Sequence, residues 1–305
     1  MDPLIVVFGF GVGLLVGTTG MGGGSLMTPL LILVFGIKPV VAIGTDLAYG
    51  AVTKTVGGWR HFRKGTVDFG ISAWLAIGSI PGAIAGVIVL DQLRTAYGKE
   101  FDTIVLYLVA GALLLTGVAV LARALFLPKL VERERDTVEL DVRHKVAAIS
   151  IGLSVGFVLG VTSAGSGALI AIGLILVFRL TPHRVVGTDV FHAAILLWVA
   201  GAAHFISGNV DLALAANILI GSVPGVWIGA NISTRMPSSG LRPTLGIVLL
   251  ASGLGVATKA GAGIPAAVLI GVPVLLAILA LGLHRMRSRA ATLPGAPSIP
   301  ATEQA

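Results

Sequence analysis

The sequence predicts an all-α polytopic membrane protein: two inverted-topology repeats of about five hydrophobic segments each and an extra C-terminal helix, with some segments broken or re-entrant. Three observations predict it. The 305 residues are 55% hydrophobic and only 11% charged, with a mean hydropathy of +0.98, whereas a soluble domain carries about 25% charged residues. Apolar runs of about 20 residues recur along the whole chain, the length needed to cross a hydrocarbon core of about 30 Å. Finally, Gly17 to Val89 aligns without gaps on Gly160 to Ile232, an offset of 143 residues that keeps polar as well as apolar residues in register. An ordinary soluble enzyme is excluded by the first observation. The absence of cysteine excludes disulfides and thiolate metal sites.

Taken in order, the hydrophobic segments fall at about 4–19, 24–37, 39–58, 69–90, 102–122, 146–162, 167–179, 183–203, 211–231, 243–258 and 264–283. The first resembles a signal peptide in its apolar character, but it opens on Asp2 and has no Lys or Arg ahead of the apolar run, so cleavage is not expected. The division that follows is repeat A over 1–122, a cytoplasmic linker over 123–145, repeat B over 146–258, an added transmembrane helix over 259–283 and a disordered cytoplasmic tail over 284–305. The linker mixes six basic with five acidic residues, and the tail is rich in Pro, Ala and Arg.

The net charge of +7 would suit nucleic acid only if it formed a patch. Instead it divides by side. Eleven crossings from an outside N-terminus put 16 Lys and Arg in cytoplasmic stretches, among them Arg60, Arg63, Lys64, Arg135, Arg179, Arg184 and Arg285, and leave Lys38, Arg94, Lys99 and Lys259 outside. That asymmetry obeys the positive-inside rule. No nucleic-acid partner is expected; the lipid bilayer is. Short segments such as 24–37 are candidates for dipping in and returning.

The duplication carries inversion with it. Five segments per copy is an odd number, so the second copy enters from the opposite face. The basic loop Arg60–Lys64 accordingly matches a loop around Ala203–Asn209 that has no Lys or Arg. Such pairs are a signature of secondary transporters, whose substrate site lies between the repeats near the bilayer midplane.

Three constellations recur in both copies. Each copy opens on a glycine-rich break, Gly22, Gly23, Gly24 and Ser25 in one and Gly165, Ser166 and Gly167 in the other. Non-helical backbone at membrane depth must be protein-buried or line a cavity. Glycines there let amide groups converge at a helix N-terminus, where an anion is attracted. The plainer alternative is tight packing or a turn. The second constellation, Gly44-Thr45-Asp46 and Gly187-Thr188-Asp189, follows Pro39 and Pro182 and sets two carboxylates inside the membrane, where ionisable groups are costly and mark proton or ion pathways. Lys54 shares a helix face with Asp46, and His192 lies three residues beyond Asp189, so all four are candidate coupling residues. The plainer reading makes each Asp a cap or tie for a broken helix. The third, Gly78-Ser79-Ile80-Pro81-Gly82 and Gly221-Ser222-Val223-Pro224-Gly225, is read as close packing around kinks, with Pro81 and Pro224 as candidate hinges. Asp68, Asp211, His61 and His204 fall at segment ends, where capping is expected. No catalytic residue set, cofactor motif or metal-ligand spacing is present.

At these motifs, and at the turns Gly65 to Asp68 and Gly208 to Asp211, the chain resembles the TauE/SafE family of sulfite and organosulfur anion exporters over roughly residues 4–258. The resemblance implies a secondary transporter that moves sulfite, an organosulfonate or a related small anion across a prokaryotic inner membrane, driven by the proton gradient. On this reading Gly22, Gly23, Gly24, Ser25, Gly165, Ser166, Gly167, Thr45 and Thr188 bind the anion. A Na+-coupled carrier or channel is the first alternative. An intramembrane hydrolase using Ser166 with His192 or His204 is a remote one. Homo-oligomerisation is left open.

Overall fold

The computed structural model describes residues 3–19, 24–125, 134–233 and 238–291. Eleven α-helices lie among them: α1 (Pro3–Thr19), α2 (Gly24–Leu33), α3 (Pro39–Arg63), α4 (Phe69–Tyr97), α5 (Phe101–Leu125), α6 (Val142–Thr162), α7 (Ser166–Leu176), α8 (Pro182–Ile206), α9 (Leu212–Ser233), α10 (Ser238–Lys259) and α11 (Ala266–Ala291). Each corresponds to one hydrophobic segment of the sequence. The helix starts have local causes. Pro39 and Pro182 occupy the first turns of α3 and α8, where a missing N–H costs nothing. Asp68 accepts the Ile71 N–H at 2.9 Å and Asp211 the Leu214 N–H at 2.9 Å, so both aspartates cap helices as their positions suggest.

Length separates the segments that can cross fully from those that cannot. Residues Phe69–Ala124 (α4 and α5), Val142–Thr162, Pro182–Ile206 and Leu212–Gly229 are long and apolar enough to span a membrane. By contrast α2 and α7 have 10 and 11 residues, about 15 Å of helix, half a hydrocarbon core. The apolar runs there continue into turns at Gly36 and Arg179, both with positive φ, which end the helices early. One correction concerns the tail: α11 continues to Ala291, so residues 284–291 are helical rather than disordered. The rest of the predicted tail, 292–305, lies outside the described residues.

Glycines set the helix pairing. A Cβ on Gly78, Gly82 or Gly86 of α4 would strike the backbone of α6 at Ile149, Leu153 and Phe157, in that order; one on Gly221, Gly225 or Gly229 of α9 would strike α1 at Val6, Phe10 and Leu14. The contacts advance in step, so α4 runs parallel to α6 and α9 parallel to α1. Every member of the second set stands 143 residues from a member of the first, with α1 and α6 exchanged. α3 and α8, the same element in the two copies, cross antiparallel: Gly58 meets Phe191, Gly201 meets Ala48, and Trp198 Nε1 donates to Thr55 Oγ1 at 2.9 Å. Gly117 and Gly253 likewise bring α5 and α10 together antiparallel.

Loops with the same sign of expected sidedness touch. The linker pairs with the α7–α8 turn through Arg135 N–H to the Arg179 carbonyl at 2.8 Å and Thr181 N–H to the Arg135 carbonyl at 3.1 Å. At the other end Arg94 donates to Asn209, and Lys259 to the Ile32 carbonyl. Between these ends Leu31, Ile43, Leu47, Tyr49, Leu113 and Leu159 form the buried apolar core.

Candidate functional site: two carboxylates at the helix breaks

The break between α6 and α7 is built by backbone conformation. Ser163, φ 59°, closes α6 in the left-handed region and donates its N–H to the Leu159 carbonyl at 2.7 Å; Gly165, φ 97°, then turns the chain into α7. The first helical bond of α7 runs from Leu169 N–H to the Gly165 carbonyl, so the amides of Ser166, Gly167 and Ala168 precede the ladder and have no intrahelical acceptor. Gly165 is thus a conformational requirement, since a side chain is strained at that φ. In the other copy the matching positions lie between α1 and α2. Gly22 and Gly23 lie outside the described residues, as do the side chains of Ser25 and Ser166; the backbones of Gly24 and Ser25 open α2.

The two buried aspartates reach these breaks by different means. Asp46 is fully buried, and its Oδ2 accepts hydrogen bonds from Thr28 Oγ1 of α2 at 2.6 Å and Ser163 Oγ at 2.9 Å. Asp189 is 7% exposed; its Oδ2 lies 4.0 Å from Lys54 Nζ. A Cβ on Gly167 would sit 3.4 Å from that same oxygen, so the carboxylate stands over the first turn of α7. Among the described residues each aspartate keeps one oxygen, Oδ1, buried without a hydrogen-bond partner, the kind of orphan that calls for an explanation.

Lys54 therefore serves Asp189 and not Asp46, contrary to the sequence expectation. Asp46 and Lys54 share a face of α3, but eight residues separate them by about 12 Å along the axis, whereas the antiparallel crossing brings α8 within reach. His192 likewise turns away from Asp189. It is fully buried, with Nε2 sharing a hydrogen bond of 3.1 Å with Ser79 Oγ of α4. Tyr49, its counterpart in the first copy, faces Ser222, the counterpart of Ser79.

Thr45 and Thr188 are tied across the copies: Thr45 Oγ1 accepts the Asp211 N–H at 3.0 Å and Thr188 Oγ1 the Asp68 N–H at 2.9 Å. Each locks the capped start of the opposite copy's helix. Pro81 and Pro224 lie inside helices assigned as continuous. His204 is fully buried; its Nε2 bonds the Gly160 carbonyl at 2.8 Å and its Nδ1 meets Asn209 Nδ2 at 3.2 Å. Among the described residues no three His, Asp or Glu side chains converge as a metal site.

Sequence reasoning missed Thr28, Ser163 and Ser79 as partners. A signal was available for the first two: they are polar where the repeat partner is Ala171 or Gly20, so they break the internal match where the copies diverge chemically.

The pairing of glycine-lined helices, the two half-length helices and the apolar spans are those of a polytopic membrane protein, with two acids buried at its helix breaks. Comparison with known proteins narrows the class. The model of the family described as "Sulfite exporter TauE/SafE" matches residues 5–256, and the chain belongs to that family of membrane transporters. It is 40% identical over 254 residues to the "Probable membrane transporter protein YjnA" of Bacillus subtilis (strain 168), covering 83% of this chain and 99% of the relative. It is 29% identical to YdhB of the same organism, over 82% of this chain and 98% of the relative. A "Probable membrane transporter protein" of Methanocaldococcus jannaschii is 25% identical over 81% of this chain and 93% of its own length. No solved structure matches the chain.

Proposed function

We propose that this protein is a proton-coupled secondary transporter that moves a small sulfur-containing anion, such as sulfite or an organosulfonate, across the prokaryotic inner membrane. The observation that carries the reading is the pair of buried carboxylates, Asp46 and Asp189, each at a helix break with one oxygen unpartnered. A carboxylate in that state is costly in hydrocarbon unless it is paired, hydrated or protonated, and a group that alternates between those states can move a proton. The glycine breaks, with the amides of Ser166 and Gly167 ahead of the α7 ladder and Gly22, Gly23, Gly24 and Ser25 at the matching place, supply the anion-attracting ends. Thr45 and Thr188, next in sequence to the acids, fix the frame around them.

Inverted topology supports the same reading. The parallel α1–α9 and α4–α6 pairs and the antiparallel α3–α8 pair are what two copies related by an axis in the membrane plane would make. With the linker, Lys64 and the C-terminus on the cytoplasmic side, the N-terminus is outside. Proline kinks at Pro81 and Pro224 would then let α4 and α9 flex as the site alternates.

The test is flux in proteoliposomes, with radiolabelled sulfite or methanesulfonate, with and without a pH gradient. Flux that rises with the gradient and collapses with a protonophore is expected; absence of flux for a panel of sulfur oxyanions and organosulfonates would overturn the reading. Na+ coupling is a second reading, favoured by the oxygen-only surroundings of Asp46, where Thr28 and Ser163 supply the neighbours. Flux that follows Na+ at constant pH would select it.

A further inference from the structure

Lys54 is a buried position where the two copies differ in charge: its counterpart is Leu197, so the duplicated scaffold closes without a cation at this position. An ammonium placed here is 7% exposed, and burial of that kind costs several kcal/mol unless close hydrogen-bonded pairing offsets it. Its carboxylate partner stands 4.0 Å away, about 1 Å beyond a charge-assisted hydrogen bond. The ammonium has three donors, and among the described residues no hydrogen bond takes up any of them. Asp189, for its part, keeps Oδ1 without a partner while Oδ2 lies over the first turn of α7. A cation, the first amides of α7 ahead of its hydrogen-bond ladder and a carboxylate held at 4.0 Å thus share one buried place.

We infer that Lys54 is the counter-charge for the transported anion, and that the Asp189 carboxylate occupies the anion's place until it takes up a proton. The inference rests on the transporter reading above and assigns its binding step. A proton from the aqueous phase adds to Asp189 Oδ1, forming an O–H bond and removing the negative charge. An oxygen of the incoming anion then takes over the Lys54 ammonium and the amides of Ser166 and Gly167. On release to the other side the proton leaves Asp189 and the carboxylate returns to Lys54. One proton travels with one monoanion, so the cycle moves no net charge and its direction follows the pH and anion gradients.

The charged groups facing Asp189 are Lys54 from α3 and, more distantly, Arg123 from α5. Helix α7 carries no ionisable residue, those of α6 lie in its first turn and those of α4 in its last two turns. His192, on α8 itself, is bonded to Ser79. Asp46 has hydroxyl neighbours and, among the described residues, no cation paired with it, so the two acids are not interchangeable: the anion site lies at the α7 break.

The experiment compares wild type, Lys54→Gln, Lys54→Arg and Asp189→Asn in proteoliposomes, using whichever of sulfite and methanesulfonate the wild type moves. Lys54→Gln is expected to raise KM more than about tenfold, and Lys54→Arg to recover most of the loss. Asp189→Asn is expected to exchange anion but lose its response to pH and become sensitive to a K+–valinomycin potential. If Lys54→Gln does not fold, the double variant Lys54→Met with Asp189→Asn leaves no buried charge and is expected to fold without a saturable anion site, read by loss of the thermal stabilisation the anion gives wild type in detergent. Unchanged KM in Lys54→Gln, pH-driven electroneutral flux in Asp189→Asn, or saturable binding in the double variant would overturn the inference and leave the transporter reading standing. A wild type that moves neither anion would sink both.

Discussion

Asp46 and Asp189 occupy matching positions of a duplicated chain, yet their surroundings give them different chemistry. Two hydroxyls converge on Asp46 Oδ2, and hydrogen bonds to a charged group contribute about 1.5–3 kcal/mol each. Thr28→Val should therefore lower stability by about that amount when Asp46 is ionised, and Thr28→Ser should restore it; thermal melts in detergent across pH measure both. Asp46→Asn keeps an acceptor for both hydroxyls, so it should stay folded while the pH response of flux changes; an unchanged response would remove Asp46 from coupling. Outside the membrane, Asp141 caps α6 by accepting the His144 N–H at 2.8 Å. That bond holds its carboxyl below the ordinary range. The cap's contribution is then fully present above the unfolded value, about pH 4, and is lost as the pH falls through the lowered one. Amide exchange in the first turn of α6 should accelerate over that acid window in wild type and be fast at every pH in Asp141→Ala.

Helix pairing in the bundle depends on backbone approaching backbone. Gly82 sits where a methyl group would overlap the Leu153 carbonyl, and Gly225 where it would overlap that of Phe10. Neither neighbour is a side chain that can rotate away. Gly82→Ala and Gly225→Ala are each expected to destabilise by about 1–3 kcal/mol. Gly111→Ala, with nothing within 4 Å of the added carbon, should be neutral. Equal melting temperatures for Gly82→Ala and Gly111→Ala would contradict the packing account. The small-x-x-x-small spacing that marks these faces was visible in the sequence, as were the helix starts at Pro39, Asp68, Pro182 and Asp211. The partner of each face was not, because a glycine stripe says that something comes close and not what.

The arrangement of the bundle makes a prediction about sides. With no native cysteine, single cysteines introduced at exposed turn residues report accessibility cleanly. Lys64→Cys and Arg135→Cys are expected to react with a membrane-impermeant maleimide only from the cytoplasmic face, and Lys99→Cys and Ala262→Cys only from outside. Labelling of Lys64→Cys and Lys99→Cys from the same face would break the proposed orientation. Loops assigned to one face by charge alone also touch: the linker meets the α7–α8 turn, and Arg94 meets Asn209.

By itself the sequence determined the membrane class, the number and order of the helical segments, the duplication and the family, because hydropathy, helix-start residues and internal register are local properties that survive without knowledge of contacts. Only the tertiary structure decided which charges meet. Lys54 looked like the partner of Asp46 because they share a helix face, but two turns of helix separate them, and an antiparallel crossing with the other copy delivers Asp189 instead. Likewise α2 and α7 became half-length because turns at Gly36 and Arg179 end helices whose apolar character runs on. Pairing and termination depend on what the rest of the chain brings alongside, and in a duplicated bundle that neighbour lies in the other copy, well over a hundred residues away.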